Sequence, residues 1–337
     1  MLFSTLRKRL PATAPNSLSP TASRRTSSAS PIPGVDPHDS QTLLLPDGRV
    51  LGYAEYGLPT GFPLLYFHGF PSSRLEARAL DRLARARRIR VIAPERPGFG
   101  LSTFRHRRIA DWPADMRALA DHLRLERFAV LGASGGGPYA LACALQLPSE
   151  RLAAVGVLAG APTWAAGTRD IMLMSRVASF LARRCPNAFR VGTDAAMCAL
   201  RWLLRTRLAV RLMNSALARV QRDDSDEAVD DVRLRTLRML FEAFAQGSAA
   251  FVHEARLLTE DWGFRFEDVQ YDRVQLWHGT KDVNAPIRHT RYMAERLPHG
   301  VLHEYEGETH FTILHHLEEI MSELLPQQTP TDGEGEL

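Results

Sequence analysis

Arg127 to Leu147 reads RFAVLGASGGGPYALACALQL, and the way this stretch folds decides the architecture of the chain. Phe128-Ala129-Val130-Leu131 is a compact apolar run bounded by glycine, the pattern of a buried parallel strand. Pro138 to Leu145 is rich in good helix formers, and proline is accepted in a first helical turn. Between them lies Gly132-Ala133-Ser134-Gly135-Gly136-Gly137. A strand that reverses this sharply into a helix leaves no room for a Cβ beside the turn. Gly132 and Gly136 therefore stand where glycine is required, and Ser134 between them is held in a strained, exposed position.

Other readings of the stretch meet obstacles in its residues. A serine among glycines also occurs as a simple turn residue. A Walker loop needs Lys-Ser or Lys-Thr after its last glycine, whereas Gly137 is followed by Pro138, and Gly-x-Gly-x-x-Gly spacing from Gly132 is absent. The uncharged run Phe128–Leu147 is long enough for a membrane span, but a serine, glycines and a proline at its centre argue against one.

Gly-x-Ser-x-Gly between a strand and a helix is the nucleophile elbow, and through it the chain resembles the α/β-hydrolase superfamily, in its serine-nucleophile branch with a helical cap. The surrounding pattern agrees in fold class. Thr42–Leu45, the turn Pro46-Asp47-Gly48 and Arg49–Gly57 read as an antiparallel hairpin. Apolar strands follow at Pro63–Phe67, Ile89–Ala93, the elbow strand and Leu152–Gly160, with helical periodicity at Arg74–Arg87 and Trp112–Leu123. This rhythm predicts an α/β fold with a mostly parallel sheet covered on both faces. From about 161 to 268 the strands stop. Only helical patterns remain, such as Met172–Ala182, Ala195–Leu217 and Val229–Phe244, the last preceded by the acidic Asp223–Glu227. An all-helical insertion of this length resembles the cap that many α/β-hydrolases carry over the serine. The core then resumes over 269–325 with strands Val274–His278 and Val301–Tyr305 and helices Ile287–Leu297 and Phe311–Leu325.

The resemblance also assigns the remaining site residues. The superfamily places an acid and then a histidine at the ends of late strands. Asp282 in Gly279-Thr280-Lys281-Asp282-x-x-x-Pro286 is the expected orienting acid, and His310 in Gly307-Glu308-Thr309-His310 the expected base. A capping aspartate and a surface histidine are the ordinary alternatives. His278 is read as the end of a strand, His315 and His316 as helical, and His106 as part of a basic loop. Some relatives carry the acid after the strand ending near Gly160, but no acid occurs there before Asp170. The backbone N–H of Gly135 and that of Phe70, in His68-Gly69-Phe70-Pro71, are the expected oxyanion donors. His68 and the loop Arg96–Ser102 are read as structural. Haloalkane dehalogenases and epoxide hydrolases share the His-Gly-Phe-Pro type of loop but carry aspartate at the nucleophile, so Ser134 speaks against both. Proline aminopeptidases hold a substrate amine with carboxylates, and between Ala161 and Arg222 only Asp170 and Asp194 are acidic.

The implied activity is hydrolysis of an ester or thioester of a small to medium apolar substrate through an acyl-enzyme. The alternative is a non-catalytic ligand-binding or scaffold protein on the same fold. No cofactor, metal or nucleic-acid partner is expected. Three scattered cysteines (Cys143, Cys185, Cys198) give neither a disulfide framework nor metal-ligand spacing.

The 337 residues carry a net charge of +4, with the basic excess concentrated in two places. Residues 1 to about 35 are Arg- and Ser-rich and free of acid before Asp36. They read either as a mitochondrial transit segment or as a plain disordered tail, leaving mitochondrial and cytoplasmic locations open. They lack the apolar core of a secretory signal. The second place is the cap, where Arg176, Arg183, Arg184, Arg190, Arg201, Arg205, Arg207, Arg211, Arg219 and Arg222 mingle with leucines, methionines and Trp202. A solvated helix face is the ordinary reading; attraction to anionic lipid or an acidic substrate such as a CoA thioester is the special one. Pro326–Leu337 reads as a polar tail.

Overall fold

The computed structural model describes residues 37–218 and 228–325. An eight-stranded sheet forms its centre, in the order β1-β2-β4-β3-β5-β6-β7-β8. β1 (Gln41–Leu44) and β2 (Val50–Gly57) form the hairpin expected across Asp47-Gly48, with Gln41 opposite Tyr53 and Leu44 opposite Val50. β2 runs antiparallel to β4 (Ile89–Pro94). Every later pairing is parallel, through β3 (Phe62–Phe67), β5 (Phe128–Ala133), β6 (Leu152–Leu158), β7 (Val274–Gly279) and β8 (Gly300–Tyr305).

The central strands are apolar without alternation because both faces are buried. On β5, Phe128 and Val130 enter one hydrophobic cluster, and Ala129 and Leu131 enter the other. α2 (Trp112–His122), α3 (Gly137–Gln146) and α9 (Ile287–Ala294) cover the first face through Met116, Tyr139 and Met293. α1 (Asp81–Ala86) and α10 (Leu317–Leu324) cover the second through Ala84 and Met321. The run Phe128–Leu147 is thus a buried strand, a turn and a helix, and among the described residues no helix is long and apolar enough to cross a membrane.

Between β6 and β7 the described residues hold helices and no strand: α4 (Leu173–Arg184), α5 (Pro186–Leu203), α6 (Arg207–Ala218), α7 (Val229–Ala243) and α8 (Ala249–Leu257). Several details differ from the sequence reading. The helix expected over Ala195–Leu217 is two helices. Thr206 interrupts it by donating its hydroxyl to the Leu203 carbonyl at 2.7 Å and accepting the Ala209 N–H at 3.3 Å, a local alternative to continued helix. α8 carries no periodicity strong enough to have marked it. The helices expected at Arg74 and Phe311 begin as 3-10 turns, Arg74–Leu80 and Thr312–His316.

The folded body also starts earlier than Gln41. A 3-10 turn at Pro37–Asp39 buries Asp39 completely, and its carboxylate accepts the Tyr56 hydroxyl at 2.7 Å and pairs with Arg78 at 2.9 Å and Arg238 of α7 at 3.1 Å. The rest of the basic N-terminal segment, the acidic Asp223–Glu227 run with Arg219 and Arg222, and the C-terminal tail fall outside the described residues.

Candidate active site

Ser134 sits between β5 and α3 with φ at +48°, a left-handed conformation that costs a non-glycine residue about 1–2 kcal/mol. Gly132 and Gly136, on either side of it, permit the turn because they have no side chains. A Cβ on Gly132 would lie 2.3 Å from the Gly136 carbonyl oxygen, and one on Gly136 would lie 2.2 Å from that of Phe67. The Ser134 carbonyl accepts the Ala161 N–H at 2.8 Å, fixing the elbow to the chain leaving β6. The hydroxyl is left at the carboxyl end of the sheet.

The two other expected residues arrive from the next strands. Asp282 follows β7 and is buried; its Oδ1 accepts the N–H groups of Asn284 and Ala285, each at 2.8 Å. His310 follows β8. The two loops are tied together, since Thr280 N–H donates to Tyr305, Lys281 N–H to Glu308, and Gly307 N–H to the Thr280 hydroxyl. That lacing closes the gap between positions 282 and 310. His310 Nδ1 lies 2.6 Å from Asp282 Oδ2, and its Nε2 lies 3.1 Å from Ser134 Oγ. With the Nδ1 proton directed at the carboxylate, Nε2 presents its lone pair to the serine hydroxyl.

Burial pushes the Asp282 carboxyl up, but hydrogen bonds from His278 and His310 and the Ala285 N–H outweigh it and hold the group well below the usual carboxylate range. His278 is therefore more than a strand end. Its Nε2 is 3.1 Å from Asp282 Oδ2 and 2.6 Å from the Ala285 carbonyl, while its Nδ1 meets the Thr290 hydroxyl at 2.8 Å. Asp282 Oδ2 is shared by two imidazoles. The sequence signal was available, because His278 stands four residues before Asp282 across a tight turn.

The two expected backbone donors also lie close together. A Cβ on Gly135 would stand 3.2 Å from the Phe70 nitrogen, and the Phe70 N–H makes no hydrogen bond among the described residues. Gly69 is fixed next to the elbow by its N–H, which donates to both Glu76 oxygens at 3.0 and 3.1 Å. His68 braces this loop from behind: its Nδ1 is 2.8 Å from the Gly69 carbonyl. Burial and the neighbouring Arg96 charge push the His68 imidazole well below its ordinary value, so it is neutral.

Arg96, in the loop read as structural, is wholly buried and donates to the carbonyls of His68 and Gly69 at 2.5 and 2.8 Å. Its guanidinium packs over the rings of Tyr139 and Phe99 and pairs at 2.6 Å with Glu254 of α8. α8 thus reaches the loop that carries Phe70, and its Phe251 stacks on Phe70 at 5.1 Å. Sequence reasoning missed Glu254 and Phe251, because nothing local distinguishes them from other helical residues. The competing residues are occupied elsewhere. His106 faces His253 at 3.3 Å, His316 pairs with Glu308 at 3.2 Å, and Asp170 pairs with Arg288 at 2.7 Å.

Comparison with known proteins agrees with this fold. An uncharacterised protein of Mycobacterium tuberculosis is 30% identical over 239 residues, covering 67% of this chain and 63% of the relative. Haloalkane dehalogenase 2 of the same organism is 33% identical over 153 residues, covering 44% of this chain and 51% of that one. The chain thus spans less than two thirds of the length of either relative. Among solved structures, a hydrolase from Pseudomonas aeruginosa superposes with a TM-score of 0.60 at 18% identity, covering 86% of this chain and all of that one. An esterase from Exiguobacterium antarcticum gives 0.57 at 15% identity, covering 85% and 98%. At such identities these two speak for the fold alone. The family profile does more: it matches residues 64–323, which span the elbow, both late loops and the helical insertion. On that match and the sheet that carries it, the chain belongs to the alpha/beta hydrolase family.

Proposed function

We propose that the chain is a serine hydrolase that cleaves an ester or thioester of a small to medium apolar acyl compound. The observation carrying this reading is the continuous path from Asp282 Oδ2 through His310 to Ser134 Oγ, at 2.6 and 3.1 Å. His310 takes the serine proton as Oγ attacks the carbonyl carbon, and Asp282, ionised, stabilises the imidazolium that forms. The Phe70 and Gly135 N–H groups receive the developing oxyanion. His310 then returns the proton to the leaving alcohol or thiol. Water, activated by the same imidazole, releases the acid from the acyl-serine. An apolar acyl group suits the aromatic packing of Phe70 against Phe99 and Phe251 and the Leu258 side chain near Gly135. The helical insertion acts as a cap, with α8 resting on the Phe70 loop.

The dehalogenase relative raises a second chemistry, which the elbow residue disfavours. A carboxylate nucleophile displacing halide forms an alkyl ester that water can hydrolyse. Ser134 in its place would form an ether, a dead end.

A fluorophosphonate probe should label the protein in a manner lost in Ser134→Ala, with turnover across a panel of p-nitrophenyl and thioesters of increasing chain length. Labelling that persists in Ser134→Ala overturns the nucleophile assignment. Absence of both labelling and turnover favours a non-catalytic ligand-binding protein.

A further inference from the structure

Among the described residues, the helical insertion carries an apolar surface left exposed. Residues 173–218 hold eight arginines against one aspartate, a net +7, whereas the whole chain is +4; the remainder is therefore −3. The charge is most concentrated between Arg201 and Leu212, at the end of α5 and the start of α6. Here Arg201, Arg205, Arg207 and Arg211 are all exposed. So are Trp202 at 66%, Leu203 at 47%, Leu208 at 68% and Leu212 at 64%. No acidic residue interrupts this run, and none of the four arginines forms an ion pair among the described residues. α6 packs on α7, yet Leu208 and Leu212 lie one turn apart in solvent, next to the Arg207–Arg211 row. The same mixture recurs on α4. Leu173, Val177 and Phe180 form an exposed row beside Arg176, Arg183 and Arg184, along a groove of about 540 Å³.

From this juxtaposition we infer that the Arg201–Leu212 surface docks the protein onto an anionic phospholipid bilayer. Two chemistries must be satisfied together. Arginines alone would suit any polyanion, but four large apolar side chains among them need hydrocarbon, which the acyl region beneath anionic headgroups supplies. Nucleic acid offers phosphates but no place for Leu203, Leu208 and Leu212. A second copy of the chain pairing patch to patch would set arginines against arginines. Basic residues near such a surface each add attraction of similar size, and the apolar side chains add burial, so removing either set weakens binding separately.

The test is sedimentation of the full chain with vesicles of phosphatidylcholine alone and of phosphatidylcholine containing phosphatidylglycerol. The anionic vesicles should bind at least about tenfold more tightly. Arg205→Gln/Arg207→Gln/Arg211→Gln and Trp202→Ser/Leu208→Ser/Leu212→Ser should each lose about tenfold or more. All six side chains are solvated, so both variants keep the fold, which circular dichroism checks. Equal binding to both vesicles overturns the inference. Loss in the arginine variant with none in the apolar variant overturns it in favour of a soluble polyanion. Undiminished binding in both variants places the contact elsewhere in the chain. Absence of vesicle binding, with a dimer that either variant dissolves, makes the surface an interface between copies.

Discussion

The Arg96 guanidinium donates to the Gly69 carbonyl at 2.8 Å, and a Cβ on Gly69 would stand 3.5 Å from that of Ser134. A buried cation thereby fixes the peptide plane preceding Phe70 and so the direction of the Phe70 N–H. Replacing Arg96 with Lys keeps the charge but loses the fork that spans two carbonyls and pairs with Glu254. We expect kcat on an ester substrate to fall by about tenfold to a hundredfold with KM little changed, which steady-state kinetics resolves.

Gly135→Ala places a Cβ 2.6 Å from the Phe70 Cβ. The loop must retreat, and the Phe70 N–H, the proposed oxyanion donor, is misaligned. The expected cost is about 2.7–4 kcal/mol in transition-state stabilisation, roughly a hundredfold to a thousandfold in kcat. Reaction of Ser134 with a small fluorophosphonate should slow in parallel.

Asp282→Asn removes the negative charge facing His310 and favours the opposite imidazole tautomer. In a serine protease the equivalent change lowers kcat by about four orders of magnitude, and a loss of that order is expected here. Because the wild-type carboxyl is held well below the usual range, it adds no ionisation above pH 4. The kcat/KM profile of the parent enzyme should rise with pH as one proton is lost from the base, and stay free of a second acidic step.

His278→Gln tests the shared carboxylate oxygen. Removing the His278 bond leaves Asp282 Oδ2 a stronger acceptor for His310 Nδ1–H, which favours the imidazolium. The acidic limb of kcat/KM should move to higher pH. A purely structural role would lower activity equally at every pH and leave the limb in place.

His68 is neutral and buried, its folded value well below the ordinary one near 6.5 because burial and Arg96 oppose its charge. The unfolded chain binds the proton more readily. Stability is full above about pH 6.5 and falls as pH drops below it, by about 1.4 kcal/mol per unit from this group. Burial also lowers His253 and His289, which act in the same direction, while Glu95, pushed by burial up to about 7, acts in the opposite one. The difference between parent and His68→Gln isolates the term. The variant's melting midpoint should decline less between pH 7.5 and 5.5 in a thermal melt.

The core was legible in the sequence because its signals are local. Glycines that admit no Cβ, apolar runs buried on both sides and Gly-x-x-Asp after a strand each depend on a few adjacent residues. Ser134 could be named for the same reason, whereas Asp282 and His310 were named because the resemblance places an acid and then a histidine at the ends of late strands. What escaped depends on tertiary contact. The second imidazole on Asp282, the reach of Glu254 to Arg96 and the stacking of Phe251 on Phe70 join residues from separate elements, and no spacing rule encodes them. The break at Thr206 was missed because a side-chain cap competed with a continuous helical pattern that still looked sound on either side.

The anchoring of Asp39 bears on how the chain tolerates trimming. Its carboxylate is shared by Tyr56, by Arg78 and by Arg238 of the insertion. A protease or an expression vector that removes the basic residues upstream of residue 37 spares this knot. A cut only a few positions later leaves two arginines without their counter-ion and removes one of the ties that hold α7, beside those from Ser73 to Met239 and from Arg74 to Glu242, so the safe place to shorten this protein is fixed to within a handful of peptide bonds.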